Sequence, residues 1–143
     1  MTQEDKELLL KDLCARLPYG VKLGFYASAT NQTYECILLG IEPDDDEPVI
    51  AKTDAGCFYM LADHVKPYLY PLSSMTDEQK EEYHHIVNYI SPDDTETWME
   101  GEFIYVDTTQ FLRLINFYHR NHLDYRGLIN GGLALDATGL NIY

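Results

Sequence analysis

From Tyr34 to Met75 the chain keeps short periods, and a period of two leaves room for little except sheet. Tyr34, Cys36 and Leu38 alternate with Glu35, Ile37 and Leu39, which sets the two groups on opposite faces of a strand. Glu42 to Pro48 is a charged loop with prolines at both ends. Val49-Ile50-Ala51-Lys52-Thr53 and Cys57-Phe58-Tyr59-Met60-Leu61 flank Asp54-Ala55-Gly56, a tight turn in which Gly56 is able to take positive φ. Val65 opens one more extended piece. Pro67 and Pro71 remove backbone donors from it, so it is expected as an edge strand or an extended strap. Several short strands with turns at this spacing predict a small, strongly curved antiparallel sheet, of the SH3-like barrel kind.

The flanking segments change period. Thr2 is an N-cap for a helix to Leu17, with Asp5 three residues on. Leu10, Leu13, Cys14 and Leu17 follow helical spacing, and Leu9 widens the stripe. Pro18 ends this helix, and Val21 to Ala27 reads as a strand. Beyond Met75, Thr76-Asp77-Glu78-Gln79 matches a capping box, followed by an apolar stripe of Tyr83, Ile86, Val87 and Ile90. Thr95 to Gly101 is irregular, and Phe103-Ile104-Tyr105-Val106 reads as a short strand. Asp107 caps a helix to about His122, with Phe111, Leu114, Ile115 and Tyr118 facing inward. Asp124 is expected to cap a last short helix, Tyr125 to Asn130, which Gly131-Gly132 ends. The fold class is therefore α+β: an N-terminal helix, the curved sheet and C-terminal helices.

Its 143 residues make one domain of ordinary size, sheet-rich over 1–72 and helix-rich over 73–143, and neither half looks able to bury a full core alone. Net charge is −14. Residues 1–72 carry 6 basic and 12 acidic groups, and residues 73–143 carry 4 and 12, so the acidity is spread along the chain. It speaks against direct nucleic-acid binding and against an anionic membrane surface, both of which call for a basic footprint. It suits a basic protein partner, and it also permits mimicry of a phosphate backbone. Cys14, Cys36 and Cys57 are odd in number and lack C-x-x-C spacing, which predicts reduced core thiols in a cytoplasmic setting. The N-terminus is charged up to Lys6, unlike a signal peptide, and no apolar run reaches the length of a membrane span.

Two stretches carry a resemblance. One is Val65-Lys66-Pro67-Tyr68-Leu69-Tyr70-Pro71-Leu72-Ser73-Ser74-Met75-Thr76, leading into Asp77-Glu78-Gln79-Lys80-Glu81-Glu82. The other is Asp124-Tyr125-Arg126-Gly127-Leu128-Ile129 with Gly132-Leu133-Ala134-Leu135-Asp136-Ala137. With the opening helix, they resemble a family of short uncharacterised proteins of gut Bacteroidales and of their phages and prophages. The segment Glu96 to Val106 matches that family least. The resemblance implies no activity and no catalytic residue. It implies a setting: a cytoplasmic accessory protein of a mobile element.

Candidate chemistry is sparse. His119 and His122 lie three apart on one helix face with Asp124 beyond, a set able to hold zinc. The H-E-x-x-H signature is missing, and a histidine pair at the negative end of a helix dipole is the plainer reading. His84 and His85 are adjacent and point about 100° apart. Asp44-Asp45-Asp46-Glu47 lacks the alternation of a calcium loop. Asp93, Asp94, Glu96, Glu100 and Glu102 surround Trp98; carboxylates beside an aromatic side chain suit sugar chemistry, while an exposed acidic loop anchored by Trp98 needs no chemistry at all. No Walker, Rossmann or G-x-S-x-G pattern is present. Arg126 either fixes the final segment through a carboxylate or carbonyls, or receives an anionic ligand beside Tyr125.

The leading expectation is a non-enzymatic protein-binding or assembly factor with no cofactor, binding through Tyr68, Tyr70, Trp98, Tyr125 and Arg126. A protein partner is expected, and self-association is left open. The first alternative is a counter-defence factor acting by nucleic-acid mimicry or nucleotide sequestration. The second is a metal-dependent hydrolase using His119, His122 and Asp124.

Overall fold

Thr2 caps the first helix, α1 (Gln3–Arg16), as its sequence asks. Its hydroxyl accepts from the Asp5 amide at 3.1 Å, and the Asp5 carboxylate accepts from the Thr2 amide at 3.1 Å. Hydrogen bonding to its carboxylate from the Thr2 hydroxyl, and then from the Thr2 amide, holds the Asp5 carboxyl below its ordinary pKa. The computed structural model describes residues 1–87 and 108–143; Trp98, the acidic residues around it, the Phe103–Val106 strand and the Asp107 cap lie outside the described residues. A 3-10 turn, Leu17–Tyr19, follows α1, and Gly20 at φ +67 turns the chain into the sheet.

Five strands come next: β1 (Lys22–Ala27), β2 (Gln32–Ile41), β3 (Val49–Thr53), β4 (Gly56–Met60) and β5 (Val65–Pro71). β1 to β4 form an antiparallel meander, and β5 pairs with the other side of β1. The connection from β4 to β5 fixes the curvature. Met60 lies level with Ile41 of β2 through Val49, whereas Val65 lies level with Tyr34 through Phe25. In a flat sheet these ends would stand four strand spacings apart sideways and seven residues apart lengthwise, roughly 30 Å in all. Leu61, Ala62, Asp63 and His64 alone join them, and five steps of chain span at most about 17 Å. The sheet must therefore curl. The corner is the register shift between Leu38 and Gly40 of β2, since a bulge bends and twists its strand. The first half of β2 pairs with β1 and its second half with β3. The expected curvature is present, but the sheet is open and no SH3-like barrel closes. Its path runs β4-β3-β2-β1-β5, and β4 stands at its end.

Leu9 and Leu13 of α1 are fully buried against Leu23, Leu38, Val49 and Val65 of the sheet, worth roughly 1.5–3 kcal/mol per side chain. The buried stripe of α1 is not the expected one. It reads Leu9, Asp12, Leu13 and Arg16, and Cys14 is exposed. Asp12 and Arg16 displace apolar residues from this face because they pair with each other and with the C-terminal segment.

A second apolar cluster joins α2 (Asp77–Val87) to α3 (Thr108–Arg120) through Tyr83, Val87, Leu114, Phe117 and Tyr118. The capping box that opens α2 is formed as expected, with Gln79 N–H on the Thr76 hydroxyl and Thr76 N–H on the Gln79 carbonyl, at 3.1 and 2.9 Å. In α3 the inward face is rotated from the expected one: Phe111 is exposed, and Phe117 and His119 are buried. No helix among the described residues is long and apolar enough to cross a membrane.

The last segment is not helical over Tyr125 to Asn130. Asp124 does cap, as expected, but it caps a turn. Its two carboxylate oxygens accept from the Leu128 and Ile129 amides at 2.9 Å each, and Gly127 at φ +73 diverts the chain from a helical path. The tail instead adds two short parallel strands to β5: β6 (Leu123–Asp124) opposite Tyr70 and Pro71, and β7 (Leu135–Asp136) opposite Tyr68 and Leu69.

That arrangement corrects the expectation for β5, which is neither an edge nor a strap. β1 pairs with Val65–Pro67, β7 with Tyr68 and Leu69, and β6 with Tyr70 and Pro71. The Leu69 carbonyl accepts from the Ala137 amide, and the amide of the next residue, Tyr70, donates to the His122 carbonyl, so the two tail strands lie on opposite sides of β5. Pro67 and Pro71 flank the two residues that β7 pairs with, so neither is asked for a donor there.

Candidate binding surface

Three of the candidate residues, His119, Tyr125 and Arg126, meet Asp12 and Arg16 where α1, α3 and the tail join. Arg16 is wholly buried at the end of α1; its Nε donates to Asp12 Oδ2 at 2.6 Å and its Nη2 to the Leu123 carbonyl at 2.8 Å. Arg126 approaches the other Asp12 oxygen, Nε to Oδ1 at 3.2 Å, near enough for an ion pair but off axis for a hydrogen bond. The same Nε donates to the Tyr125 hydroxyl at 3.1 Å, and His119 Nε2 lies 2.9 Å from that hydroxyl. Both guanidinium groups stand over the Tyr125 ring, at 5.6 and 5.1 Å. Tyr118 stacks on its other flank with ring centroids 5.0 Å apart.

The electrostatics follow from burial. Desolvation, and then the Arg16 charge, push the His119 pKa down, which favours the neutral imidazole. Burial raises the Tyr118 phenol. Two cations share one buried carboxylate, and the tyrosine hydroxyl bridges histidine and arginine. Chemically this corner fastens α1 to the tail. It is the structural reading of Arg126, made through a carboxylate.

The zinc set does not assemble. His119 is held by Tyr125, and Asp124 is spent on two backbone amides. His122 stacks on Tyr143 with centroids 3.6 Å apart. Burial lowers the His122 pKa to about 4. Among the described residues no three His, Cys, Asp or Glu side chains gather as a metal site. His84 packs against Tyr83, while His85 lies 3.9 Å from Glu81 on the same helix. In the Asp44–Glu47 run, the Asp45 carboxylate accepts from the Glu47 amide and shapes a turn.

Tyr68 and Tyr70 share one side of β5 and are both half-buried. Tyr68 reaches over Gly24, and Tyr70 packs near Tyr143 and the helical cluster. Their expected companion Trp98 is outside the described residues. The thiols differ from expectation as well: Cys36 is in the core with its pKa raised to about 11 by burial, while Cys14 and Cys57 are exposed.

Among the described residues, an open apolar surface lies at the β4 end of the sheet. Phe58 and Tyr59 are 46% and 49% exposed, Leu61 is exposed just beyond them, and Ile37 and Leu39 are exposed on β2, across β3. β4 has β3 on one side and no strand on the other among the described residues. Its register with β3 is unbroken from Gly56 to Met60. The two-residue connection makes Thr53–Gly56 the hydrogen-bonded pair, and by alternation Phe58 and Met60 also bond to β3. The amides of Cys57 and Tyr59 therefore point outward. Gly56 to Leu61 contains no charge and no proline, so this edge has none of the lysines, prolines or bulges that usually blunt one. Acidic groups stand at both ends: Asp54 in the turn, and Glu42, whose carboxylate accepts from the Tyr59 hydroxyl at 3.3 Å and raises its pKa. Sequence showed this strand but not its place, because strand order is set by pairings far apart in the chain. Compared with models of protein families, with curated proteins and with solved structures, the chain matches none.

Proposed function

We propose that this chain is a non-enzymatic protein-binding module that takes up an extended segment of another protein along β4. The unprotected, uncharged edge at Cys57, Phe58 and Tyr59 carries this reading. An added strand meets two outward amides and the carbonyls beside them, and its side chains at alternate positions meet Cys57 and Tyr59 on the outer face and Phe58 on the other. Asp54 and Glu42 at the ends favour a partner segment with an apolar centre and lysine or arginine flanks. A second copy is a poor occupant, because each copy carries −14 and like charge opposes association.

The test selects binders from a library of random peptides, then follows backbone amide exchange in the complex. Selected peptides should alternate apolar residues, carry basic flanks and protect the amides of Cys57 and Tyr59. Tyr59→Pro removes one outward donor without touching the β3 ladder, and it should abolish binding while the thermal transition stays near wild type. Binders that protect other amides, or that bind Tyr59→Pro equally, refute the reading.

A further inference from the structure

A cavity of about 340 Å³ opens on the outer face of the sheet, over Gly24 and beside the turn that joins β4 to β5. Gly24 makes it possible. A Cβ at this position would stand 2.7 Å from Leu135 Cδ1 and 3.0 Å from Thr33 Cγ2. With no side chain there, the tail strand lies down on the sheet and Leu135 becomes one wall. Tyr26 is the facing wall, its ring fixed because the hydroxyl donates to Asn31 Oδ1 at 2.7 Å. Asp63 and His64, in the turn before β5, and Lys66 on β5 complete the lining.

Charge gives the cavity its chemistry. The chain has ten lysines and arginines. Arg16 and Arg126 are paired with Asp12, Lys22 with Glu35, and Arg120 with Glu82. Lys66 is half-buried and makes no ion pair among the described residues. An anion seated in the cavity would give this ammonium a counter-charge and a charge-assisted hydrogen bond. The His64 ring, 6.2 Å from Phe25, is held at the same wall. Asp63 is exposed at the opening and repels a second negative charge.

We infer that this cavity binds a small monocarboxylate whose planar or apolar body lies between Tyr26 and Leu135 and whose carboxylate meets Lys66. Its volume is at the small end of ligand sites, roughly 300–1,000 Å³, which fits a ligand of one ring. The site does not depend on the β4 edge, and either can fail without the other.

The test titrates benzoate into isotopically labelled protein and follows the amide resonances of Gly24, Thr33 and Lys66. Benzamide, benzylamine and phenyl phosphate serve as controls of changed charge. Benzoate should saturate with a dissociation constant at or below about 1 mM. Each control should bind about tenfold more weakly, and so should benzoate to Lys66→Met, with an unchanged thermal transition. Absence of saturation by about 10 mM overturns the inference. So does equal binding of any control, or undiminished binding to a folded Lys66→Met.

Discussion

Replacing Asp12 with leucine probes the corner that joins α1 to the tail. Asp12 and Arg16 are both fully buried, and among the described residues Asp12 is the carboxylate that Arg16 and Arg126 share. Asp12→Leu leaves a guanidinium in the interior without its counter-charge, which costs about 3–5 kcal/mol. Arg126 is partly exposed, and water takes over its solvation. Adding Arg16→Met removes the stranded charge, and the remaining loss is the donor to the Leu123 carbonyl, about 1–3 kcal/mol. The double variant should therefore be more stable than Asp12→Leu alone, by about 2 kcal/mol. Simple additivity gives the opposite order. Urea unfolding, with the slope unchanged across the series, measures all four corners of the cycle. A double variant less stable than Asp12→Leu refutes the claim that the buried charge, rather than lost packing, sets the cost.

Three further outcomes follow from the same geometry. Native protein should react with a thiol reagent at Cys14 and Cys57, and at Cys36 only after unfolding, because Cys36 is buried with its pKa raised to about 11; a single reactive thiol in the native state would contradict this. Folding depresses the His122 pKa from 6.5 to about 4, so its contribution is complete above pH 6.5 and is lost as the unfolded chain takes up a proton between there and pH 4. That portion, roughly 2 kcal/mol after allowance for screening, should vanish in His122→Asn, whose side chain tolerates the positive φ of this position, and an unaltered acid slope would count against it. Tyr143→Phe removes a hydroxyl that donates to the Tyr68 carbonyl and accepts from the Lys22 amide; it should cost about 1–2 kcal/mol, read as a lower thermal midpoint, and no change would show the tail to be undocked in solution.

Sequence revealed what is local. The Thr2 and Thr76 caps, the turn at Gly56 and the alternation of β2 are decided within a few residues, and they stand in the structure as expected. Asp12 and Arg16 could not be recognised as interior residues, because the groups that make their burial tolerable, Leu123 and Arg126, lie more than a hundred residues away. Cys14 and Phe111 were placed inward by periodicity alone, and small rotations of their helices leave both exposed. Tyr125 to Asn130 has a helical cap, but Gly127 and the pull of β5 on the tail win over it. Of the expected site, Tyr125 and Arg126 do meet, though around Asp12 and not around an open cavity. The edge at Phe58 and Tyr59 was legible as a strand but not as a boundary.

The divided pairing of β5 also orders events on the ribosome. Its first half finds β1 as soon as Val65–Pro67 is made. Its second half waits for Leu123 and Leu135. At about 5–20 residues per second, the interval from Pro71 to Asp136 lasts roughly 3–13 s. Throughout it the nascent chain carries a half-finished strand, and Arg16 has no carbonyl to meet. The growing protein thus depends on the C-terminal stretch that is synthesised after β5, and a stall in translation between the two strands would hold it in an aggregation-prone state.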